Sequence, residues 1–203
     1  IKASVKDKLK GRHVYLGGHF GSSVLATENV MMAAALAHGK TVIENAACEP
    51  EVVDLANFLN KMGAKISGIE SHRMEIEGVR KLRGATHTVI PDRIEAGTFL
   101  LAAAITKGKI DIKNVRPEHL NCLIDKLIEA GLNIKAKEDE IKVEYVKKLK
   151  PLDITTLPYP GFPTDLQAQM MSLATIIDGI SVLTEKIYPE RFIHISELNR
   201  MGA

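Results

Sequence analysis

The chain has no tryptophan, 4% aromatic residues and two cysteines among 203 residues. So few aromatics argue against a platform that stacks nucleic-acid bases. Cys48 and Cys122 provide no disulfide framework, and a reducing compartment is the default expectation. No sign of charge dominates. Lys plus Arg number 27 and Asp plus Glu 25, a formal net charge of +2. That is not the electrostatic footprint of a nucleic-acid or membrane-surface binder. Long apolar runs are missing too: the longest candidates, 30–37 and 99–105, have the length of core helices, not of membrane spans. Nor does the start show the basic-then-apolar pattern of a secretory signal. Among the seven histidines there is no His-x-x-x-His pair, so no metal is expected.

What is present is a core-forming composition, 45% hydrophobic and 26% charged, which excludes disorder. The length fits one large domain or two small ones. Three segments share one grammar: 26–45, 96–114 and 166–187 each run from an Ala- or Met-rich apolar helix through Gly to a β-type run. Their glycines, Gly39, Gly108 and Gly179, recur at intervals of about 70 residues and read as helix C-terminal signals. Two of the copies continue alike. Glu49-Pro50-Glu51 and Arg116-Pro117-Glu118 begin second helices, with Pro and Glu suited to a first turn. Leu55, Phe58, Leu59 and Met62 are expected on one apolar face, as are Leu120, Leu123, Leu127 and Ile128. These helices end at Gly63 and Gly131, and strands are expected at 65–67, 74–77, 133–136 and 141–146. The unit is βαβαββ when cut at a strand. The fold class expected is mixed α/β with a repeated unit, and Ile90-Pro91-Asp92 is the best boundary.

Polar residues gather where each repeat's helix begins. Gly21-Ser22-Ser23-Val24 can offer backbone N–H groups to an anion, or Ser23 can simply cap the helix. Asp92 and Glu95 have capping-box spacing. In 158–167, three prolines and a glycine fix the path to a helix start; Thr164 and Gln167 have capping-box spacing and Asp165 sits in the first turn. From these residues alone, Asp165 as a helix-dipole partner is the simpler reading than catalysis. A last cluster, 184–192 with His194, Glu197 and Arg200, brings Arg191 or Arg200 as an anion grip and Glu197 as a solvated charge. Cys48 lies between opposing influences, neighbouring carboxylates and a helix start, and Cys122 falls on an apolar helical face.

Several long motifs stand in a specific order. They are Ile43-Glu44-Asn45-Ala46-Ala47 with Glu49-Pro50-Glu51, Pro91-Asp92-Arg93-Ile94-Glu95-Ala96-Gly97-Thr98, Pro160-Gly161-Phe162-Pro163-Thr164-Asp165-Leu166-Gln167-Ala168-Gln169, and Arg191-Phe192 through Arg200-Met201-Gly202-Ala203. Along essentially the whole chain this order resembles the enolpyruvyl transferases, specifically the UDP-N-acetylglucosamine 1-carboxyvinyltransferases. The resemblance implies two similar domains of three βαβαββ units, each an inverse α/β barrel (an alpha-beta prism), incomplete in this chain. Residues 1–90 would be the last repeat of one domain and 91–203 repeats of the second. The implied reaction moves the enolpyruvyl group of phosphoenolpyruvate to the 3′-hydroxyl of UDP-N-acetylglucosamine, releases phosphate and uses no cofactor. It opens peptidoglycan synthesis in the cytoplasm, with no nucleic-acid or membrane partner.

By the same resemblance Asp165 is the base, Ser23 and Val24 meet the diphosphate, and Ile187 holds the sugar-nucleotide through its backbone. Arg191 lies near phosphoenolpyruvate, and Glu49, Asp92 and Arg93 line the cleft. Leu25, Cys48 and Pro189-Glu190 depart from the family pattern. The family's early Lys-Asn pair, its reactive loop cysteine and a late arginine have no counterparts here, so the remainder of the same polypeptide is an expected partner and the fragment alone an expected inactive one. Three alternatives stay open: a non-catalytic UDP-sugar-binding homologue, the related 3-phosphoshikimate 1-carboxyvinyltransferase, and, weakly, a related RNA-end-processing enzyme disfavoured by the +2 charge.

Overall fold

The computed structural model describes residues 4, 5, 7–19 and 21–203. The chain divides into two compact units, Ile1–Ile90 and Pro91–Ala203.

The first unit runs β1 (His13–Tyr15), a short hairpin of β2 (Gly17–Gly18) and β3 (Gly21–Ser22), α1 (Val24–Ala34), β4 (Lys40–Glu44), α2 (Pro50–Lys61), β5 (Lys65–Ser67) and β6 (Arg73–Glu77). Its main sheet has the order β1-β4-β6-β5. The pairing of β1 with β4 is parallel, and those of β4 with β6 and β5 with β6 are antiparallel. This is the βαβαββ unit read from the repeat. Alternation sets the faces. Thr41 and Ile43 on β4 oppose Ile76 and Met74 on β6, and all four are buried. Their polar neighbours form exposed pairs, Lys40 with Glu75 and Arg73 with Glu44. On the helices, Met31 of α1 and Val52, Ala56 and Leu59 of α2 complete this core. Pro50 opens α2, Glu51 and Lys61 complement its dipole, and Gly63 at φ +98° ends it.

The second unit runs α3 (Arg93–Ile105), β7 (Lys109–Lys113), a 3₁₀ turn (Pro117–Leu120), α4 (Asn121–Ala130), β8 (Asn133–Ala136) and β9 (Glu140–Glu144). It continues through β10 (Asp153–Thr155), a 3₁₀ turn (Thr164–Leu166), α5 (Gln167–Ala174), β11 (Val182–Thr184) and α6 (Ile195–Arg200). Strands β7, β9 and β8 form an antiparallel sheet in that order. Ile141 and Val143 are buried, as the alternation of β9 requires. Strands β10 and β11 pair in parallel around α5, repeating the β1–α1–β4 arrangement. Gly97 permits a close approach: a Cβ there would stand 2.5 Å from Leu166 Cδ1 and 3.0 Å from Leu123 Cδ2.

The readings of the repeat glycines and of Ile128 are corrected. The repeat glycines do not cap their helices directly. α1 ends at Ala34 and α5 at Ala174, well before Gly39 and Gly179, whose positive φ instead turns the chain into the next strand. At the middle copy Lys107, not Gly108, takes the left-handed conformation. Ile128 is exposed, because the inward stripe of α4 is Leu123, Ile124, Leu127 and Ala130. On α2 the expected face does meet the core: Leu59 is buried and half-buried Leu55 and Met62 pack against the same cluster, with Val52 and Ala56 at its centre. Among the described residues the sheets are open and none closes into a barrel.

Candidate functional site

The Pro-rich segment before α5 does not end in a capping box. Pro163 occupies the N-cap position, and no side chain caps the turn. Gln167, fully buried, makes no hydrogen bond through its amide among the described residues. The Thr164 and Asp165 side chains turn instead toward the segment after β11. Arg191 Nη1 donates to Asp165 Oδ1 at 2.8 Å and to Thr164 Oγ1 at 3.1 Å. The guanidinium also lies over the Tyr188 ring, 4.8 Å from its centroid. Both members of the ion pair are partly exposed, Asp165 at 53% and Arg191 at 36%. Such a pair adds little to stability, and both groups are approachable from solvent.

Beneath this pair lies Glu185, a buried carboxylate. Its Oε1 accepts from Thr156 Oγ1 at 2.6 Å, Ile187 N at 2.7 Å and Tyr188 N at 2.9 Å. Its Oε2 accepts from Thr164 Oγ1 at 2.9 Å. Burial pushes the Glu185 carboxyl up. The hydrogen bonds from Thr156, Tyr188, Ile187 and Thr164 outweigh it and hold the group below the ordinary glutamate value. Because the Ile187 N–H is taken, its backbone can meet a ligand only through its carbonyl.

At the start of the same unit, Asp92 caps α3: its Oδ1 accepts from Ile94 N at 2.7 Å and Glu95 N at 3.1 Å. Arg93 is buried, with its guanidinium 5.7 Å from the Tyr159 ring centroid. Gln169 of α5 donates to Thr98 of α3 at 3.1 Å, joining the two helices. Glu197 pairs with Arg200 at 2.7 Å on the surface, as a solvated charge should. Arg191 instead joins the Asp165 and Thr164 side chains.

In the first unit Ser23 caps α1, accepting from Ala26 N at 3.3 Å. The Val24 and Leu25 N–H groups precede the first intrahelical bond of α1. Buried Thr27 accepts from Ala47 N at 3.0 Å, fixing the 45–49 loop against α1. Glu49 is buried at the start of α2 without capping it. The Glu28 carboxyl is raised by burial and by Glu51 and Glu49. The Cys48 thiol is raised by burial, then by Glu49 and Glu70, which disfavours the thiolate and decides the sign that the sequence leaves open. Cys122, half-buried, packs against the core of the second unit. Among the described residues no His, Cys, Asp and Glu cluster has the makings of a metal site, and no helix is long and apolar enough to cross a membrane.

The family model for EPSP synthase (3-phosphoshikimate 1-carboxyvinyltransferase) matches residues 1–203. The chain belongs to this family. Curated relatives in it are UDP-N-acetylglucosamine 1-carboxyvinyltransferases. One from Carboxydothermus hydrogenoformans is 60% identical over 97% of this chain and 46% of its own length. One from Caldanaerobacter subterraneus subsp. tengcongensis is 57% identical over 100% of this chain and 48% of its own. The chain thus spans about half the length of the curated relatives it matches. Among solved structures, the enolpyruvyl transferase NikO from Streptomyces tendae superposes with a TM-score of 0.82 at 22% identity, over 95% of this chain and 48% of that one. An EPSP synthase from Acinetobacter baumannii gives 0.60 at 21% identity, over 87% and 40%. The fold is therefore that of the enolpyruvyl transferases.

Within this chain, the structure brings Asp165, Arg191 and Ile187 into one connected group. Ser23 and Val24 stand at the start of α1, with Glu49 at the start of α2. Asp92 is committed to its cap, and Arg93 lies against Tyr159. Thr164 and Glu185 went unselected by sequence reasoning. A signal existed for Glu185. Period-two alternation along β11 places it on the inward side with half-buried Leu183, an unusual place for a lone carboxylate.

Proposed function

We propose that the whole protein transfers the enolpyruvyl group of phosphoenolpyruvate to the 3′-hydroxyl of UDP-N-acetylglucosamine, releasing phosphate. This chain supplies the last repeat of one domain, residues 1–90, and repeats of the second, residues 91–203. The reading is supported by the names of relatives at 57–60% identity, which favour the UDP-sugar over phosphoshikimate. The observation that carries it is the Arg191–Asp165 pair, 2.8 Å apart and open to solvent. Chemistry of this kind needs a carboxylate that takes the hydroxyl proton as the sugar oxygen bonds to C2 of phosphoenolpyruvate. It also needs a cation beside the charge that develops there. As the sugar oxygen bonds to C2, the C2=C3 double bond opens and C3 takes up a proton. As the resulting tetrahedral adduct collapses, C3 gives a proton up, the double bond re-forms and the C2–O bond to phosphate breaks, so that phosphate leaves.

Asp165 is the base in this scheme. Arg191 faces the anionic substrate, and the Ser23–Val24 helix start meets the diphosphate. Ile187 contributes its carbonyl, while Glu49, Asp92 and Arg93 shape the surroundings. The scheme uses no cofactor and no metal, and the place of the reaction is the cytoplasmic opening of peptidoglycan synthesis, with no nucleic-acid or membrane partner. The rest of the polypeptide is required, and the 203-residue chain alone is expected to be inactive.

The test is phosphate release in a polypeptide of the relatives' full length carrying this segment. Asp165→Ala should lower turnover by at least about 10²-fold, the scale of general-base loss, with unchanged far-UV circular dichroism. Turnover near the parent rate would remove the assignment.

A further inference from the structure

Glu185 is not explained by folding alone. A buried carboxylate is costly unless its oxygens are satisfied, and a strand end could have carried an apolar residue. Its two oxygens do different work. Oε1 gathers Thr156, Ile187 N and Tyr188 N, which fixes the turn after β11. Oε2 has a single donor among the described residues, the Thr164 hydroxyl. That hydroxyl has one proton. Donating it to Glu185 leaves only lone pairs for Arg191 Nη1, 3.1 Å away. The same Nη1 reaches Asp165. The chain of contacts is therefore Glu185 to Thr164 to Arg191 to Asp165, with each donor direction determined by the one before it.

We propose that Glu185 is a positioning residue for the transfer reaction: it orients the Thr164 hydroxyl as an acceptor and so holds Arg191 against Asp165. This rests on the reading of the Asp165 site given above. Glu185 touches no reacting atom in this scheme and acts through Thr164.

Glu185→Gln separates the two oxygens. The glutamine oxygen belongs at the three-donor position, because an amide NH₂ cannot face two backbone N–H groups. Its NH₂ then takes the place of Oε2 and presents a donor where Thr164 needs an acceptor. Shape is kept while one hydrogen bond reverses. In the full-length polypeptide, Glu185→Gln and Thr164→Val should each lower kcat on the order of 10-fold, with KM for both substrates within about twofold, since misplacing a catalytic group costs rate more than binding. The double variant should stay within about twofold of Thr164→Val, because the two changes break one relay. Losses that multiply, or Glu185→Gln at the parent rate, overturn the proposal. Crystal structures decide it independently of turnover. Arg191 Nη1 should leave Thr164 in Glu185→Gln, and an unmoved Arg191 overturns the relay even if the parent protein proves not to be a carboxyvinyl transferase. Absence of parent turnover would instead refute the functional reading. If Glu185→Gln does not fold, Thr164→Val alone carries both readouts, and parent-like kcat with Arg191 in place overturns the proposal.

Discussion

Three helix starts occupy the same place in the repeat, and they spend their polar side chains differently. At α1 Ser23 accepts from Ala26 N, and at α3 Asp92 accepts from Ile94 N and Glu95 N. At the start that leads into α5, Thr164 and Asp165 cap nothing and face Glu185 and Arg191. An N-cap contributes about 1 kcal/mol. The third start forgoes that contribution and gains an exposed ion pair of little stabilising value. A repeat copy that gives up local stability for a side-chain network has the marks of a functional site, whereas its two capped sisters are first of all good helix starts.

The largest expected contrast is therefore between Asp165→Ala and Ser23→Ala in the full-length polypeptide. The first should abolish most turnover and leave melting nearly unchanged; the second should do the reverse on a much smaller scale. If Asp165→Ala instead lowered Tm more than Ser23→Ala does, the third start would be structural after all. Next in size is Gly97→Ala. Its Cβ would stand 2.5 Å from Leu166 Cδ1, so either buried Leu166 is displaced or α3 and the turn before α5 move apart. Overpacking of this kind costs about 1–3 kcal/mol, measurable by urea denaturation. An unchanged midpoint would show that Leu166 simply rotates away. Asp92→Ala should cost about 1 kcal/mol as the loss of a two-bond cap, checked in the same titration.

The fold was legible because the repeat states it three times. Helix, glycine and strand recur in order, and Pro50 with Glu51, or the alternation of 141–145, leaves little choice of element or face. The glycines were legible as turns but not as caps, because the sequence does not show where a helix unwinds before its strand begins. The Asp165–Arg191 pair joins residues 26 apart in sequence, a distance no periodicity spans. It came from resemblance, not from spacing. Thr164 was misread as half of a capping box because Thr-x-x-Gln fits that pattern locally. Only the folded chain shows Glu185 competing for its hydroxyl, and only there is Gln167 seen to be buried away from the helix start.

The acid limb of stability offers a subtler contrast. The Glu185 carboxyl lies below its ordinary value in the folded chain because four donors outweigh its burial. A group depressed on folding contributes stability that is fully present above its unfolded value and fades as pH falls through the folded one. Tm of the parent should therefore decline below about pH 4.5, the ordinary glutamate value. Glu185→Gln, with no proton to take up, should flatten part of that decline. Superimposable Tm–pH curves for the two proteins would mean that the four donors do not favour the ionised carboxylate.

Ser23→Ala sets the lower end of the scale and sharpens the comparison most. Its cap is one bond, 3.3 Å long and exposed, so the loss belongs at the low end of the capping range, about 0.5 kcal/mol. Thr27, which accepts from Ala47 N, donates its own proton to the backbone oxygen of Ser23, and the substitution leaves that contact intact. The diphosphate, if it docks here, meets the backbone N–H groups of the helix start, which alanine keeps. The KM for UDP-N-acetylglucosamine should therefore stay within about twofold. A tenfold rise, about 1.4 kcal/mol, would show that the hydroxyl itself grips the ligand. The first helix start would then have to be counted with the third, as a site that caps only while its substrate is away.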